Sequence, residues 1–210
     1  MKNLFAYDGP LMKILNDLFN QACLNILTIL CLLPVITAGA GFTAAHVTSI
    51  ALRNGKHGVA QIFFTAFKEN FKKSTLLWVL YLLVFALVIL GFQACGMIDR
   101  TIFIILRVVL LLEGVMLLLT LVWIFPLMAR YDNAVRYTIT NALIMTMGRI
   151  FPTLLMAIVY LIPLTLFVLM PSLMPFLLCF CFSWPIHACG YRCVKALIKV
   201  EEQAEEDTEQ

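Results

Sequence analysis

The 210-residue chain is 62% hydrophobic and 13% charged, with 15 Lys and Arg against 12 Asp and Glu and a formal net charge of +3. An ordinary soluble domain carries about 45–50% apolar and about 25% charged residues, so this composition excludes that class and predicts an integral membrane protein. Six of the acidic residues lie in positions 201–210, predicted to be an acidic cytoplasmic tail on a single transmembrane domain, residues 1–200. The basic excess of that domain suits anionic lipids better than nucleic acid, which is not expected as a partner.

A short polar start and one apolar helix are the first predicted elements. Residues 1–10 lack the apolar core of a signal peptide, so we expect insertion to use the first true span. Residues 11–20 place apolar and polar side chains at helical spacing and are predicted to lie along the membrane interface. The next stretch is apolar apart from Asn25 and Thr28 until Pro34, where we expect the first span to end.

Residues 35–52 leave two topologies open. Their small side chains recur at spacings that let helices pack closely, and no charged residue occurs before Arg53. An unassisted crossing needs about 20 strongly apolar residues, and this stretch is only weakly apolar. It is therefore either a short tilted span or a re-entrant or buried half-helix behind a proline break.

Residues 60–78 are predicted to form an amphipathic helix that lies in the membrane surface and runs without a break into an apolar span. One side of this helix is aromatic, and the other carries lysines. Phenylalanines sink into the acyl boundary while lysines meet anionic headgroups, so the aromatic face either lies in lipid or docks a partner. The predicted interfacial or partner surface consists of Phe63, Phe64, Phe67, Phe71, Lys68, Lys72 and Lys73.

Four strongly apolar stretches follow and pair into two hairpins. Residues 75–95 and 101–128 are joined by a short connection, so we expect them to be antiparallel. Residues 130–149 are predicted to form a second amphipathic surface helix. Residues 151–170 and 173–189 complete the second hairpin.

A weak internal repeat accompanies this pattern. Each copy would consist of a span ending at a proline, a surface helix and a further span, with Pro34 and Pro126 as the two breaks. Both copies run the same way, so the repeat is parallel and not the inverted kind common in secondary transporters.

The distribution of Lys and Arg predicts the orientation. Residues 53–73, 130–149 and 192–199 hold most of the basic residues, so these regions and the carboxyl terminus are predicted to be cytoplasmic. The predicted fold class is all-α, a polytopic transmembrane helix bundle with two cytoplasmic amphipathic helices. It has five full spans, or six if residues 36–53 also cross.

Two charged residues inside a predicted span are the first candidates for function, since charges are costly in a bilayer. Arg107 and Glu113 lie about 120° apart around the helix and about 9 Å apart along it, which disfavours a direct pair. We expect Arg107 to extend towards the headgroups. Glu113 either fixes helix packing or binds a ligand, a proton or a partner. We expect it to face the bundle interior, with Asn25, Gln93 or His187 as a polar partner.

The sequence offers little for catalysis. The seven cysteines show no CxxC spacing and no His/Cys cluster, so they are interpreted as packing residues, and no metal or cofactor is expected. A histidine such as His187 near a span end is more often a satisfied interfacial residue than a ligand. No phosphate loop, HExxH or GxSxG motif occurs outside the membrane, so the protein is not expected to be an enzyme.

Several stretches together resemble a known family. These are LPVITAG at 33–39, Arg53-Asn54-Gly55, FFTAFKENF at 63–71 and FPLMARYDN at 125–133. They resemble the YesL family of small bacterial multi-pass membrane proteins, which lack assigned biochemistry. The usual Gly-Ala-Ala after the LPVIT stretch is replaced here by Ala-Gly-Ala-Gly. The resemblance implies the bacterial plasma (inner) membrane and, because members are often encoded beside carbohydrate ABC uptake systems, a role in or alongside sugar import.

Three hypotheses of function follow. In the first, the protein is a non-enzymatic auxiliary or assembly protein that binds sugar ABC transporter subunits through its surface helices and small-residue spans. In the second, it is a small-solute transporter or channel with Glu113 and Arg107 in a polar path. The least favoured is a membrane-embedded enzyme acting on lipid or lipid-linked sugar.

Overall fold

A computed structural model of the chain describes residues 10–97, 101–132, 134–169, 181–190 and 195. Regular structure in these residues is helical throughout, which confirms the predicted all-α class. The helices are α1 Pro10–Leu32, α2 Ala38–Arg53, α3 Val59–Gly96, α4 Thr101–Arg130, α5 Val135–Gly148 and α6 Ile150–Leu169, and residues 183–190 are also helical.

The described helices include several that are long and apolar enough to cross a membrane. Four pass by length and composition, within Ile14–Leu32, Val35–Arg53, Val59–Gly96 and Thr101–Arg130. A fifth is obtained if α5 and the first part of α6, which are bent by 103°, count as one span. The chain is therefore compatible with a membrane-embedded protein, and the predicted number of five or six spans stays a prediction. The first part of the predicted span 173–189, residues 173–180, lies outside the described residues, as does the acidic tail.

The helix break expected at Pro34 is present. α1 ends at Leu32, Pro34 has an extended backbone (φ −81°, ψ 105°), and one 3-10 turn leads into α2. The Thr37 hydroxyl donates to the carbonyl oxygens of Cys31 (2.8 Å) and Pro34 (2.9 Å). The first of these contacts satisfies a carbonyl group that the end of α1 leaves open.

α2 lies at the centre of the helices around it. Eleven of its 16 residues are buried, because its small side chains let neighbouring helices approach closely. It runs antiparallel to the first half of α3, with Gly39 against Trp78 and the Ser74 hydroxyl donating to Thr43 Oγ1 (2.9 Å). Residues 35–53 are thus a short, mostly buried helix behind the proline break, which both sequence-based alternatives allow.

α3 and α4 form the antiparallel hairpin that their short connection predicted. Val88 of α3 lies against Gly114 of α4, and Gly91 lies against Leu110. α3 has 38 residues and is about 57 Å long. Its partner α2 begins beside Trp78, so the remainder of α3 extends beyond the α1–α2 hairpin.

The part of the α3–α4 hairpin that extends beyond α2 is named the distal hairpin. It comprises residues 79–96 of α3 and residues 101–118 of α4. Most of its large apolar side chains, such as Leu87, Leu90 and Ile105, are exposed in the single chain. Such a surface suits contact with lipid or with another apolar helix.

Two predicted boundaries are wrong. Pro126 does not end a span, because α4 continues through it to Arg130. The helix predicted for residues 130–149 begins at Val135 and not at residue 130. A proline removes one backbone donor and is tolerated in an apolar helix where neighbouring groups satisfy the freed carbonyl. The internal repeat with matched proline breaks therefore does not hold.

Two buried clusters join the helices. Trp123 of α4 is fully buried, and its indole N–H donates to the Thr153 hydroxyl of α6 (2.8 Å). Leu24, Phe63 and Ile186 belong to a second cluster, which links α1 and α3 with the 183–190 helix. Both clusters lie against α2, so the polar side chains of this helix are held on a well-packed base.

Candidate functional site

Polar side chains of α2 meet polar side chains from two later segments of the chain. The Tyr160 hydroxyl of α6 lies 3.2 Å from His46 Nε2. One helical turn further along α2, the Ser49 hydroxyl lies 3.3 Å from His187 Nδ1. We name these four residues the polar seam. Hydrogen bonds of this kind connect helices where water is absent.

Of the four residues in the polar seam, the sequence analysis named only His187 and missed Ser49, Tyr160 and the buried His46. The His46 side chain is 1% exposed, and its Nδ1 has no hydrogen-bond partner among the described residues. A Cβ at Gly190 would lie 3.8 Å from this nitrogen, so the last described helix passes close to it. The available signal was a histidine in a stretch of small residues without any charge.

Asn25 is buried as expected, but it does not serve as a partner of Glu113. Its Oδ1 accepts hydrogen bonds from the backbone N–H groups of Phe182 (2.7 Å) and Ser183 (3.0 Å). The first N–H groups of a helix lack partners within that helix. Asn25 therefore caps the 183–190 helix from α1 and fixes it against the bundle.

A pocket of about 310 Å³ opens at the end of the polar seam, and we name it the polar pocket. Four separate segments contribute to it: α1, the end of α2, the loop before α3 and the 183–190 helix. Its polar lining consists of Asn16, Asp17, Asn20, Gln21, Arg53, Lys56, His57 and His187. Two basic side chains and one carboxylate thus share one concave surface with three side-chain amides.

Glu113 does not face the interior as expected. Its side chain is exposed on α4, among the apolar residues of the distal hairpin. Neither Gln93, which is also exposed, nor the buried Asn25 is a hydrogen-bond partner of it. The interior of the chain is formed by α2 and its contacts, and the distal hairpin lies beyond them. Within the described part of the chain, no helix packs over the Glu113 side chain.

Arg107 lies apart from Glu113, as the spacing predicted. Its guanidinium carbon is 4.6 Å from the centre of the Phe92 ring and packs near Gly96, at the end of α3. This is a cation–π contact directed towards the tip of the hairpin, the direction that extension to the headgroups requires. The structure does not bring Arg107 and Glu113 together with His187 in a shared cavity.

The aromatic face predicted for residues 60–78 is divided between interior and surface. Phe63 is fully buried against α1 and α2, so it cannot belong to a lipid or partner surface, and this part of the prediction is wrong. Phe67 is half-buried, whereas Phe64 and Phe71 are exposed. The four rings form a contiguous set, in which Phe63 contacts both Phe64 and Phe67, and Phe67 contacts Phe71.

The lysines of the same stretch remain at the surface. Lys68, Lys72 and Lys73 are exposed, and Lys73 forms an ion pair with Asp132, which follows α4. Because both partners are exposed, this pair contributes little to stability, typically about 0–1 kcal/mol. It joins a residue inside α3 to the segment that follows the end of α4.

No group of three His, Cys, Asp or Glu side chains within the described part of the chain could hold a metal ion. The described cysteines are free thiols and include the buried Cys95 and Cys189. Cys189 lies in the core cluster around Trp123, where it behaves as a small apolar residue.

Part of the chain matches a known protein family. Residues 21–92 match the sequence model of a family described as protein of unknown function, DUF624. The match spans the second half of α1, all of α2 and nearly all of α3, which is 72 of the 210 residues. No curated protein and no solved structure matches the chain.

Proposed function

We propose that the protein is a non-enzymatic auxiliary or assembly protein of the bacterial plasma membrane that binds another integral membrane protein through its distal hairpin. The partner in this proposal is a membrane subunit of a carbohydrate ABC-type uptake system. The observation that carries the proposal is the exposed carboxyl group of Glu113 on an otherwise apolar surface.

A carboxylate on a lipid-facing surface is unfavourable. Insertion scales give about 2.5–3.5 kcal/mol for a charged side chain at the centre of a spanning helix. Glu113 is the thirteenth of 30 residues in α4, and its neighbours Leu112 and Val109 are exposed and apolar. A partner helix with a Lys, Arg, Ser, Thr or Asn side chain at this depth would offset the cost by donating a hydrogen bond.

The distal hairpin replaces the binding surface expected from the sequence. The small residues of α2, such as Gly39 and Ala44, are buried inside the chain, and so is Phe63. They hold the chain together and are not available to a partner. The distal hairpin instead has large exposed apolar side chains on both of its helices.

The carbohydrate setting rests on the resemblance to the YesL family, which is consistent with the match of residues 21–92 to a family without assigned function. It defines which partner the experiment should recover. A membrane subunit of a sugar ABC importer is the specific expectation.

Site-specific photo-crosslinking in native membranes tests this proposal. A photoreactive amino acid at Leu112, beside Glu113, should form an adduct that mass spectrometry identifies as a sugar ABC permease subunit. Glu113→Leu should abolish the adduct, while Glu113→Gln, which still forms hydrogen bonds, should retain part of it. A photoreactive group at Leu30, an exposed residue of α1 outside the distal hairpin, is the matched control. Adducts with lipid alone from position 112, or an adduct that survives Glu113→Leu, would refute the proposal.

A small-solute transporter or channel is the second candidate, and the polar seam is the observation that favours it. His46 and Tyr160 lie inside the chain, while Ser49 and His187 lead towards the polar pocket. Vesicles containing the purified protein should then show solute flux that His46→Phe abolishes and Glu113→Gln leaves unchanged. Absence of flux for sugars and small ions would count against this candidate.

A further inference from the structure

The polar pocket has features of a built ligand site. Its α1 lining comes from one side of that helix, where Asn16 and Asn20 lie one turn apart with Asp17 and Gln21 beside them. The opposite side of α1 exposes apolar side chains such as Leu15. α1 thus directs its amides and its carboxylate towards the cleft and its apolar side chains away from it. This arrangement suits a polar ligand bound in the cleft.

One acceptor of the pocket lining is buried without a partner. The Gln21 Oε1 atom has no hydrogen-bond partner among the described residues, and Gln21 itself is only half-buried. His187 is held in place by its hydrogen bond to Ser49. The site thus offers one unsatisfied acceptor and one oriented imidazole, both at fixed positions on packed helices.

The charges of the polar pocket define the class of ligand. Arg53 and Lys56 are the side chains that bind phosphate oxygens well, and they outnumber the one carboxylate. Asp17 would repel a bare phosphate but accepts hydrogen bonds from hydroxyl groups. The amides of α1 donate and accept such bonds equally well. A phosphate ester that carries hydroxyl groups satisfies both halves of the pocket.

We propose that the polar pocket binds a hydroxylated phosphate ester, with the phosphate on Arg53 and Lys56 and the hydroxyl groups on Asp17 and the neighbouring amides. Two sources present this chemistry: the phosphoglycerol headgroup of an anionic lipid and a soluble polyol phosphate. The volume of about 310 Å³ is at the lower end of small-molecule sites, which suits a ligand of this size. The proposal is independent of any partner on the distal hairpin.

Two binding measurements on the full chain distinguish the sources. In the first, the protein in phosphatidylcholine nanodiscs is titrated with glycerol 1-phosphate and, separately, with inorganic phosphate. In the second, native mass spectrometry compares retention of phosphatidylglycerol with retention of phosphatidylcholine. Binding of glycerol phosphate supports a soluble ligand, and selective retention of phosphatidylglycerol supports the lipid headgroup. Failure of both overturns the proposal.

Two exposed side chains allow variants that should fold normally. Lys56→Gln should weaken binding of the phosphate ester by about tenfold, because a charge-assisted hydrogen bond is lost. Asp17→Asn should lower the preference for glycerol phosphate over inorganic phosphate, because it removes both the hydroxyl acceptor and the repulsion of bare phosphate. Lys68→Gln, at an exposed lysine outside the pocket, is the control and should change neither value. An equal loss in Lys68→Gln would show a general charge effect and overturn the assigned site.

Discussion

Replacement of Gly39 by alanine tests whether the close approach of α2 and α3 holds the chain together. A Cβ at this position would lie 2.5 Å from Trp78 Cβ and 2.7 Å from the Ser74 carbonyl oxygen. Both atoms belong to or adjoin the backbone of α3, so no side-chain rotation relieves the overlap. The two helices would have to separate by about 1 Å to reach ordinary contact distances of about 3.5 Å.

The expected change in the free energy of unfolding is the sum of an overpacking cost and a smaller gain in helix propensity. Overpacking costs about 1–3 kcal/mol, and a clash against backbone belongs at the upper end of that range. Alanine in a helix recovers about 1 kcal/mol relative to glycine. Separation of α2 from α3 also strains two hydrogen bonds, Ser74 to Thr43 (2.9 Å) and Trp78 to Val35 (2.8 Å). A net loss of about 2 kcal/mol would lower the midpoint of thermal unfolding by about 4–8 °C.

The measurement is thermal unfolding of the purified protein in a mild detergent, followed by tryptophan fluorescence. Gly114→Ala is the matched control, because the added Cβ would lie 3.7 Å from Val88 Cγ1, an ordinary contact. It should leave the midpoint unchanged or raise it, whereas Gly39→Ala should lower it. If Gly39→Ala is as stable as wild type, the close α2–α3 contact is not a determinant of this fold.

Three further predictions use the same unfolding measurement. Phe63→Ala should cost about 3–5 kcal/mol of stability because this ring is fully buried. Phe64→Ala should change stability by less than about 0.5 kcal/mol because its ring is exposed. Equal effects of the two substitutions would contradict the division of the aromatic face between interior and surface. Asn25→Ala should cost about 1–3 kcal/mol of stability, because two backbone N–H groups lose their acceptor. It should also expose the 183–190 helix to limited proteolysis, and unchanged cleavage would argue against the cap. Tyr160→Phe should cost about 0.6–1.7 kcal/mol by leaving its imidazole partner without a hydrogen bond, with the exposed Tyr137→Phe as a neutral control.

The sequence was sufficient to predict a membrane protein built of helices, because a composition of 62% hydrophobic residues with few charges excludes an ordinary soluble domain. Local rules also located the break at Pro34, the continuity of α3 and the α3–α4 hairpin. They misjudged Pro126, because whether a proline ends a helix depends on neighbouring groups that satisfy the freed carbonyl. Such neighbours are a property of the fold and are not encoded near the proline.

The candidate site was harder to predict than the helices. Helical periodicity gives the side of α3 on which Phe63 lies, but not that α2 covers it. The general rule that charges in a membrane face inwards placed Glu113 in the interior, whereas the two helices of the distal hairpin bury Val88 between them and leave Glu113 exposed. All four residues of the polar seam come together only through contacts more than one hundred residues apart in sequence, His46 with Tyr160 and Ser49 with His187.

The small residues of α2 account for both proposed sites. Because they let α2 pack closely against the second half of α1 and the first half of α3, these segments form a dense base, and the polar pocket opens at its edge. The same packing uses up the small residues and the ring of Phe63, so they cannot form a docking surface. The distal hairpin lies beyond this base and keeps the exposed Glu113. Loss of ligand binding in Lys56→Gln should therefore leave crosslinking at Leu112 unchanged, and Glu113→Leu should leave ligand binding unchanged; coupling between the two would show that base and hairpin act as one site.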